Sequence, residues 1–349
     1  MGLCLEKSRT VLGGNQVQAT WFPRSAGHVE RPVQLYDSLL VVIPNVSVVI
    51  PTHGRVQHLR TCLARLEAPP GWNVTTFVVE NGTSEARDVA ECYHARYLYL
   101  NETGAARARN AGVEAAGEVE AVAMLDDDVT PRPGWLEAIV RPILAKDAEA
   151  TVGGVHVVTD ARVPRSYLGF YVDTSVAMDP ERPFLAGLNM AVQPAAFRAV
   201  GGFRTELGPG ALGVGGEDVL LGLMMKAGGY RIKAVLDAEV DHHVPFARFT
   251  KEALLARAFG GGRADGWIHY HWLKSEYPWM RIRIARSFVL TRLPGISFTR
   301  RLALVERYGR EWQMLAESGK PRLADRTEVT AVGSVVKGEN GSAAASPSP

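Results

Sequence analysis

The chain has 349 residues, 46% of them apolar and 22% charged, with a formal net charge of +2. That composition excludes a disordered or collagen-like chain and leaves enough apolar residues for a sizeable core. The near-neutral balance gives no sign of a nucleic-acid partner, and no apolar run approaches the roughly 20 residues a spanning helix needs.

Residues 1–45 read as an N-terminal extension broken by "GGNQ" and "PRSAG", without the apolar core of a signal peptide. Three scattered cysteines with no CxxC pair argue against a thiolate zinc site and fit a reducing compartment, so the expected location is cytoplasmic. From residue 46 short β-branched runs alternate with helical spacing. "VSVVI" (46–50), "VTTFVVE" (74–80), "RYLYLN" (96–101) and "EAVAMLD" (120–126) read as strands. Between them, 56–68, 84–95 and 104–117 read as helices, the last stopped by Gly117. Such alternation predicts an α/β fold, a mostly parallel open sheet with helices on both faces. Beyond 129 the pattern loosens. Helices are expected over 134–146, 194–203 with a Gly stop, and 217–229, and strands over 150–159 and 230–240. Residues 160–185 are irregular, and 207–216 form a loop with six Gly or Pro in ten positions. A helical part runs to about 318, and the tail 323–349 is expected to be disordered.

"MLDDDVTP" (124–131) sets three carboxylates directly after an apolar strand. Ligands of open parallel sheets bind beyond the carboxyl ends of strands. Three adjacent like charges there need a counter-charge, and a divalent cation bridging to phosphate supplies one. A helix cap would account for one acid but not for three. "GGED" places Glu217 and Asp218 at a helix start, and "DHH" (241–243) follows the next strand.

Over roughly residues 46–245 the chain resembles family 2 glycosyltransferases of the GT-A fold. The resemblance rests on "VSVVIPTHGRVQHLRTCL", "FVVENGTSE", "GAARARNAGVEAAGE", "MLDDDVTPRPGWLE", "GLNMAVQPAAFRAVGGF", "GGEDVLLGLMMKAGGYRI" and "AEVDHHV", in that order. It implies a Rossmann-like nucleotide-binding half (46–130), an acceptor and catalytic half (131–247), and a helical C-terminal part (248–322). It also implies roles. Pro51 and Thr52 would lie under the nucleotide base, Glu80 would read it, and Arg107 or Arg109 would position the nucleotide. Asp126 would face the ribose, with Asp127 beside it on the donor side. Asp128 and His242 would hold Mn²⁺ or Mg²⁺, with His243 the fallback for His242. Asp218 would be the general base, and Asn189, Arg204 and Glu217 would lie on the acceptor side. The implied activity is inverting, metal-dependent transfer of a sugar from a nucleotide sugar, UDP-linked by preference, to an acceptor hydroxyl. A nucleotidyltransferase and a non-catalytic nucleotide-sugar-binding protein are the alternatives.

The chain departs from the family at Arg204, where an Asp is common, and at Leu220 and Met224, where an Asp and an Arg are frequent. An internal ion pair is there expected to be replaced by apolar packing. Residues 248–322 hold 15 Lys or Arg against six Asp or Glu. The plain reading is a helix pair with a solvated basic side, Leu302, Val305 and Trp312 falling on one face. The sharper one is contact with an anionic membrane face or an anionic acceptor.

Overall fold

The computed structural model describes residues 43–212 and 215–323. The N-terminal extension and the tail therefore lie, but for a few residues, outside the described residues. From Pro44 the chain forms one compact unit.

Eight strands make a single sheet in the order β3-β2-β1-β4-β7-β6-β8-β5. They are β1 (Asn45–Thr52), β2 (Asn73–Asn81), β3 (Arg96–Leu100), β4 (Ala121–Leu125), β5 (Val129–Pro131), β6 (Ala150–Val158), β7 (Asn189–Val192) and β8 (Ile232–His243). Helices α1 (Val56–Arg65), α2 (Arg87–Cys92), α3 (Ala105–Ala116) and α4 (Trp135–Leu144) connect the first half. The second half adds the short α5 (Arg165–Leu168), α6 (Thr174–Ala177) and α7 (Pro194–Ala199), and the longer α8 (Glu217–Ala227). The pairings β1–β2, β2–β3, β1–β4 and β6–β8 are parallel. The sheet is mixed because β7 inserts antiparallel between β4 and β6, and β5 pairs antiparallel with β8.

The period of two along each strand sorts the core into two layers. In β1, Val46, Val48 and Ile50 pack with Leu59 and Leu63 of α1 and Ile139 and Ile143 of α4. Val49 points the other way, to Val113 of α3 and Leu220 and Leu221 of α8. In β4, Ala123 and Leu125 join the first layer and Val122 and Met124 the second. Both faces are covered, so these strands read as continuous apolar runs. Leu220 and Met224 are buried in the second layer, as expected of apolar replacements for an ion pair.

Gly112 brings α3 down onto β1, since a Cβ there would stand 2.3 Å from Cγ1 of Val49. Gly112→Val is expected to lower stability by ~1–3 kcal/mol, the usual cost of overpacking. Chemical denaturation would read it, and an unchanged midpoint would show that the two layers can part.

The C-terminal part is three helices, α9 (Lys251–His271), α10 (Met280–Arg292) and α11 (Phe298–Glu317). Trp267 and Ile268 of α9 enter the second core layer. Helices α9 and α11 meet backbone to backbone. A Cβ on Gly262 would lie 1.9 Å from the Glu306 carbonyl oxygen, and one on Gly309 would lie 2.4 Å from that of Phe259. On α11, Leu302 is buried and Val305 partly so, whereas Trp312 faces outward over the Arg263 guanidinium.

Candidate active site

A cavity of about 650 Å³ opens beyond the carboxyl ends of β1, β2 and β4. Pro51, Thr52 and His53 from the end of β1, Asn81 from β2, and Asp126 and Asp128 after β4 line one side. Glu217 and Asp218 from the start of α8, His242 from β8, and Arg248 and Arg257 from the C-terminal part line the other.

The three carboxylates keep the strand's alternation. Asp126 and Asp128 line the cavity, while Asp127 is fully buried behind them. Each has its own partner. Asp126 accepts from Nη2 of Arg109 at 2.6 Å. Asp127 accepts from the Thr52 hydroxyl at 2.7 Å and pairs with Nη2 of Arg55 at 2.6 Å. Burial nonetheless pushes the Asp127 carboxyl up to about 7. Arg55 reaches on to Oδ2 of Asp128 at 2.5 Å. Two guanidiniums therefore offset three carboxylates, and one acceptor is left over. Oδ1 of Asp128 is buried without a hydrogen-bond partner and lies 3.8 Å from Nε2 of His242.

His242 brings an imidazole to the cavity wall. Its Nδ1 lies 3.0 Å from the Tyr171 carbonyl oxygen, which fixes Nδ1 as the donor and leaves the Nε2 lone pair facing Asp128. Burial lowers its pKa, favouring the neutral ring. His243, the next residue on β8, turns away and meets the Thr130 hydroxyl at 2.9 Å. Among the described residues no group of three or more His, Cys, Asp or Glu side chains could hold a metal ion unaided. One carboxylate oxygen and one imidazole nitrogen would suit only an open site, one whose remaining ligands would come from outside the protein.

Gly216, at φ 97°, turns the chain into α8 and brings Glu217 and Asp218 to its first turn. Asp218 Oδ2 accepts from the Gly187 amide at 3.0 Å, which orients a carboxylate that remains part-exposed in the cavity. Glu217 is buried against Nη1 of Arg109 at 3.1 Å. Burial, reinforced by Asp218, raises the Glu217 pKa despite Arg109, whose charge is shared with Asp126. Arg109 thus spans the cavity floor from the strand side to the α8 side.

Five expected site residues lie elsewhere. Glu80 is buried and accepts four hydrogen bonds, from Thr83, the Glu85 and Ala86 amides, and Tyr97. Those bonds hold its pKa below the usual range against burial, and they leave no acceptor free to read a base. The adjacent Asn81 lines the cavity instead, tied to the Thr52 carbonyl and the Gly104 amide. Arg107 pairs with Glu102 at 2.9 Å on the surface, so Arg109 is the arginine in the cavity. Asp127 anchors the wall rather than facing a ligand. Asn189 is fully buried, donating to the Gly154 and Ala238 carbonyls and accepting from Trp135. It fills the irregularity between β6 and β8 at Gly153/Gly154. Arg204 pairs with Glu206 at 2.9 Å and does not line the cavity. Sequence reading missed His53, Arg55, Asn81, Arg248 and Arg257. "PTHGR" had marked the first two.

Residues 47–201 match glycosyl transferase family 2. Residues 47–201 thus carry the likeness to family 2 glycosyltransferases that the motifs implied. A pre-mycofactocin glycosyltransferase of Mycobacterium tuberculosis, in strains CDC 1551 / Oshkosh and ATCC 25618 / H37Rv, is 36% identical over 101 residues. That match covers 28% of this chain and only 20% of the relative. Among solved structures, mannosyltransferase PcManGT of Pyrobaculum calidifontis, in complex with GDP-Man and Mn²⁺, is 17% identical with a TM-score of 0.49. The overlay covers 85% of this chain and 81% of that one. S. aureus TarS gives 17% identity and a TM-score of 0.43, over 73% of this chain and 44% of its own. Neither overlay carries weight here. The strand order, the two-sided helix layers and the family match define the GT-A-type domain.

Proposed function

We propose that the chain transfers a sugar from a nucleotide-diphosphate donor, UDP-linked by preference, to an acceptor hydroxyl, with inversion at the anomeric carbon. The observation that carries this reading is one cavity in which Asp126, Asp128 and His242 meet Asp218.

The donor's base and ribose would occupy the end walled by Pro51, Thr52, His53 and Asn81, with Asp126 accepting from a ribose hydroxyl. Asp128 Oδ1 and His242 Nε2 would hold Mn²⁺ or Mg²⁺. Such a cation, when bound, would stabilise the negative charge that develops on the departing diphosphate. Arg248 and Arg257 add two guanidiniums to the same cavity. Arg257 is steered by a bond from its Nε to the Phe170 carbonyl at 2.6 Å and by the Tyr171 ring. Asp218 takes the acceptor's proton as the acceptor oxygen bonds to the anomeric carbon. The bond from that carbon to the phosphate oxygen breaks, and the nucleoside diphosphate leaves with the electron pair. A base on the face opposite the leaving group gives in-line displacement and inversion.

Removing Asp128 tests the donor site. Asp128→Ala keeps the Arg55–Asp127 pair and is expected to leave the fold intact. It should weaken Mn²⁺-dependent nucleotide binding on the order of 10²-fold or more, a ligand's share of several kcal/mol. The readout is thermal shift with UDP, GDP and dTDP, each with and without Mn²⁺ or Mg²⁺, since a ligand of the native state raises the melting temperature. Nucleotide affinity that survives both the substitution and EDTA would refute the metal site. Preference for GDP or dTDP would move the donor away from uridine.

A further inference from the structure

Helix α10 has thirteen residues, and the one it buries is polar, Ser287. A protein helix normally owes its stability to an apolar face packed on the core. The ties of α10 to α11 include one ring contact, Phe288 with Tyr308 at 5.7 Å between centroids, and two polar ones. Ser287 donates to Glu311 at 2.6 Å, and Arg283 pairs with the same carboxylate at 3.2 Å. Several apolar side chains face outward, with Ile282 63% exposed and Val289 56%, while Ile284 and Leu290 are part-buried. Phe288 and Leu293 are exposed as well. Trp279, at the helix's N-terminal boundary, is 76% exposed and holds φ 60°. A bulky residue in the left-handed region costs about 1 kcal/mol or more, and no burial among the described residues compensates it.

The charge around these residues has one sign. From Tyr277 to Val305 the sequence contains six arginines (Arg281, Arg283, Arg286, Arg292, Arg300 and Arg301) and no Asp or Glu. Arg281, Arg286, Arg292 and Arg300 are exposed and form no ion pair among the described residues. Arginine and apolar side chains share the same outward surface. Long basic side chains can set their heads at phosphate level while neighbouring apolar groups enter the headgroup layer. No helix among the described residues is long and apolar enough to cross a membrane.

We propose that α10 and the turn after it form a membrane-docking surface that binds an anionic bilayer from one side, with Arg281, Arg286, Arg292 and Arg300 on lipid phosphates and Trp279, Ile282 and Val289 in the headgroup layer. Charge complementarity selects this occupant, because the four exposed arginines Arg281, Arg286, Arg292 and Arg300, which form no ion pair among the described residues, repel a second copy of the same face. The surface is independent of the sugar-transfer reading, and its test uses no activity.

The test is co-sedimentation of the full chain with vesicles of phosphatidylcholine alone or with added phosphatidylglycerol. Binding is expected to the anionic vesicles only, and it should fall steeply between low and high salt. Each arginine contributes about fivefold to partitioning, so Arg281→Glu with Arg286→Glu should cost at least ~25-fold. Trp279→Ser with Ile282→Ser should weaken binding at unchanged charge. Circular dichroism and melting temperature of each variant confirm the fold. Equal, negligible binding to both vesicle types overturns the proposal, as does binding indifferent to these substitutions. Self-association that Trp279→Ser abolishes overturns it in favour of an interface between copies.

Discussion

Asp218→Asn is expected to lower kcat by ~10²–10⁴-fold, the range for losing general-base assistance, while the donor Kd stays at its native value. The split follows from position. The side chain lines the cavity at the first turn of α8 and is oriented by the Gly187 amide, yet it makes no contact with Asp126, Asp128 or His242. Asp218 also accepts from the Val219 amide at 2.8 Å, so asparagine keeps an acceptor oxygen for one of these two amides and removes the capacity to take a proton. Initial rates of nucleoside diphosphate release with acceptor, beside donor titrations by calorimetry, separate the two quantities. An active Asn variant would pass the role to Glu217, and a product with retained anomeric configuration would end the in-line mechanism.

The second large effect concerns stability. Arg109→Met is expected to cost ~3–5 kcal/mol, the usual penalty for breaking a buried ion pair from one side. Arg109 is buried, and it serves Asp126 at 2.6 Å and Glu217 at 3.1 Å. Without it, Glu217 keeps a buried carboxyl with no cation, beside Asp218. Adding Glu217→Leu to Arg109→Met should restore most of the loss, because replacing both partners by apolar groups is often near neutral. Urea unfolding of the single and double variants measures this. A loss under about 1 kcal/mol for Arg109→Met would mean that Glu217 is protonated in the fold and needs no cation.

The first half of the sheet was legible because its central strands are covered on both faces. β1 and β4 bury nearly every residue, so their runs announce themselves. β5 and β7 were not legible. They have three and four residues, and they pair with partners over a hundred and about forty to seventy positions away. A segment that short has no period to read. The same logic sorts the candidate site. Asp126, Asp128, Asp218 and His242 reach one cavity, each placed by a strand end or a helix start. Glu80 and Asn189 carry site-like chemistry in the sequence, but local donors and carbonyls absorb it, and only folding reveals such partners. Arg257 sits in a helix whose pattern is that of an ordinary packed segment, and its place in the cavity comes from how α9 lies against the Tyr171 turn.

That last residue has a consequence for how such a protein can diversify. One end of the cavity, where the proposed reading puts the base and ribose, is walled by residues from 51 to 128, and the opposite end by residues from 171 to 257. The matched family segment stops at 201, so α8, the end of β8 and the two C-terminal arginines lie beyond it. Two stretches of chain that meet at one cavity can drift at different rates. Under the proposed reading, substitutions in the loop before α8 would retune acceptor choice, while Pro51, Thr52 and Asn81 at the proposed base end stay untouched. Exchanging residues 205–216 between such proteins should therefore move acceptor choice and leave nucleotide preference behind.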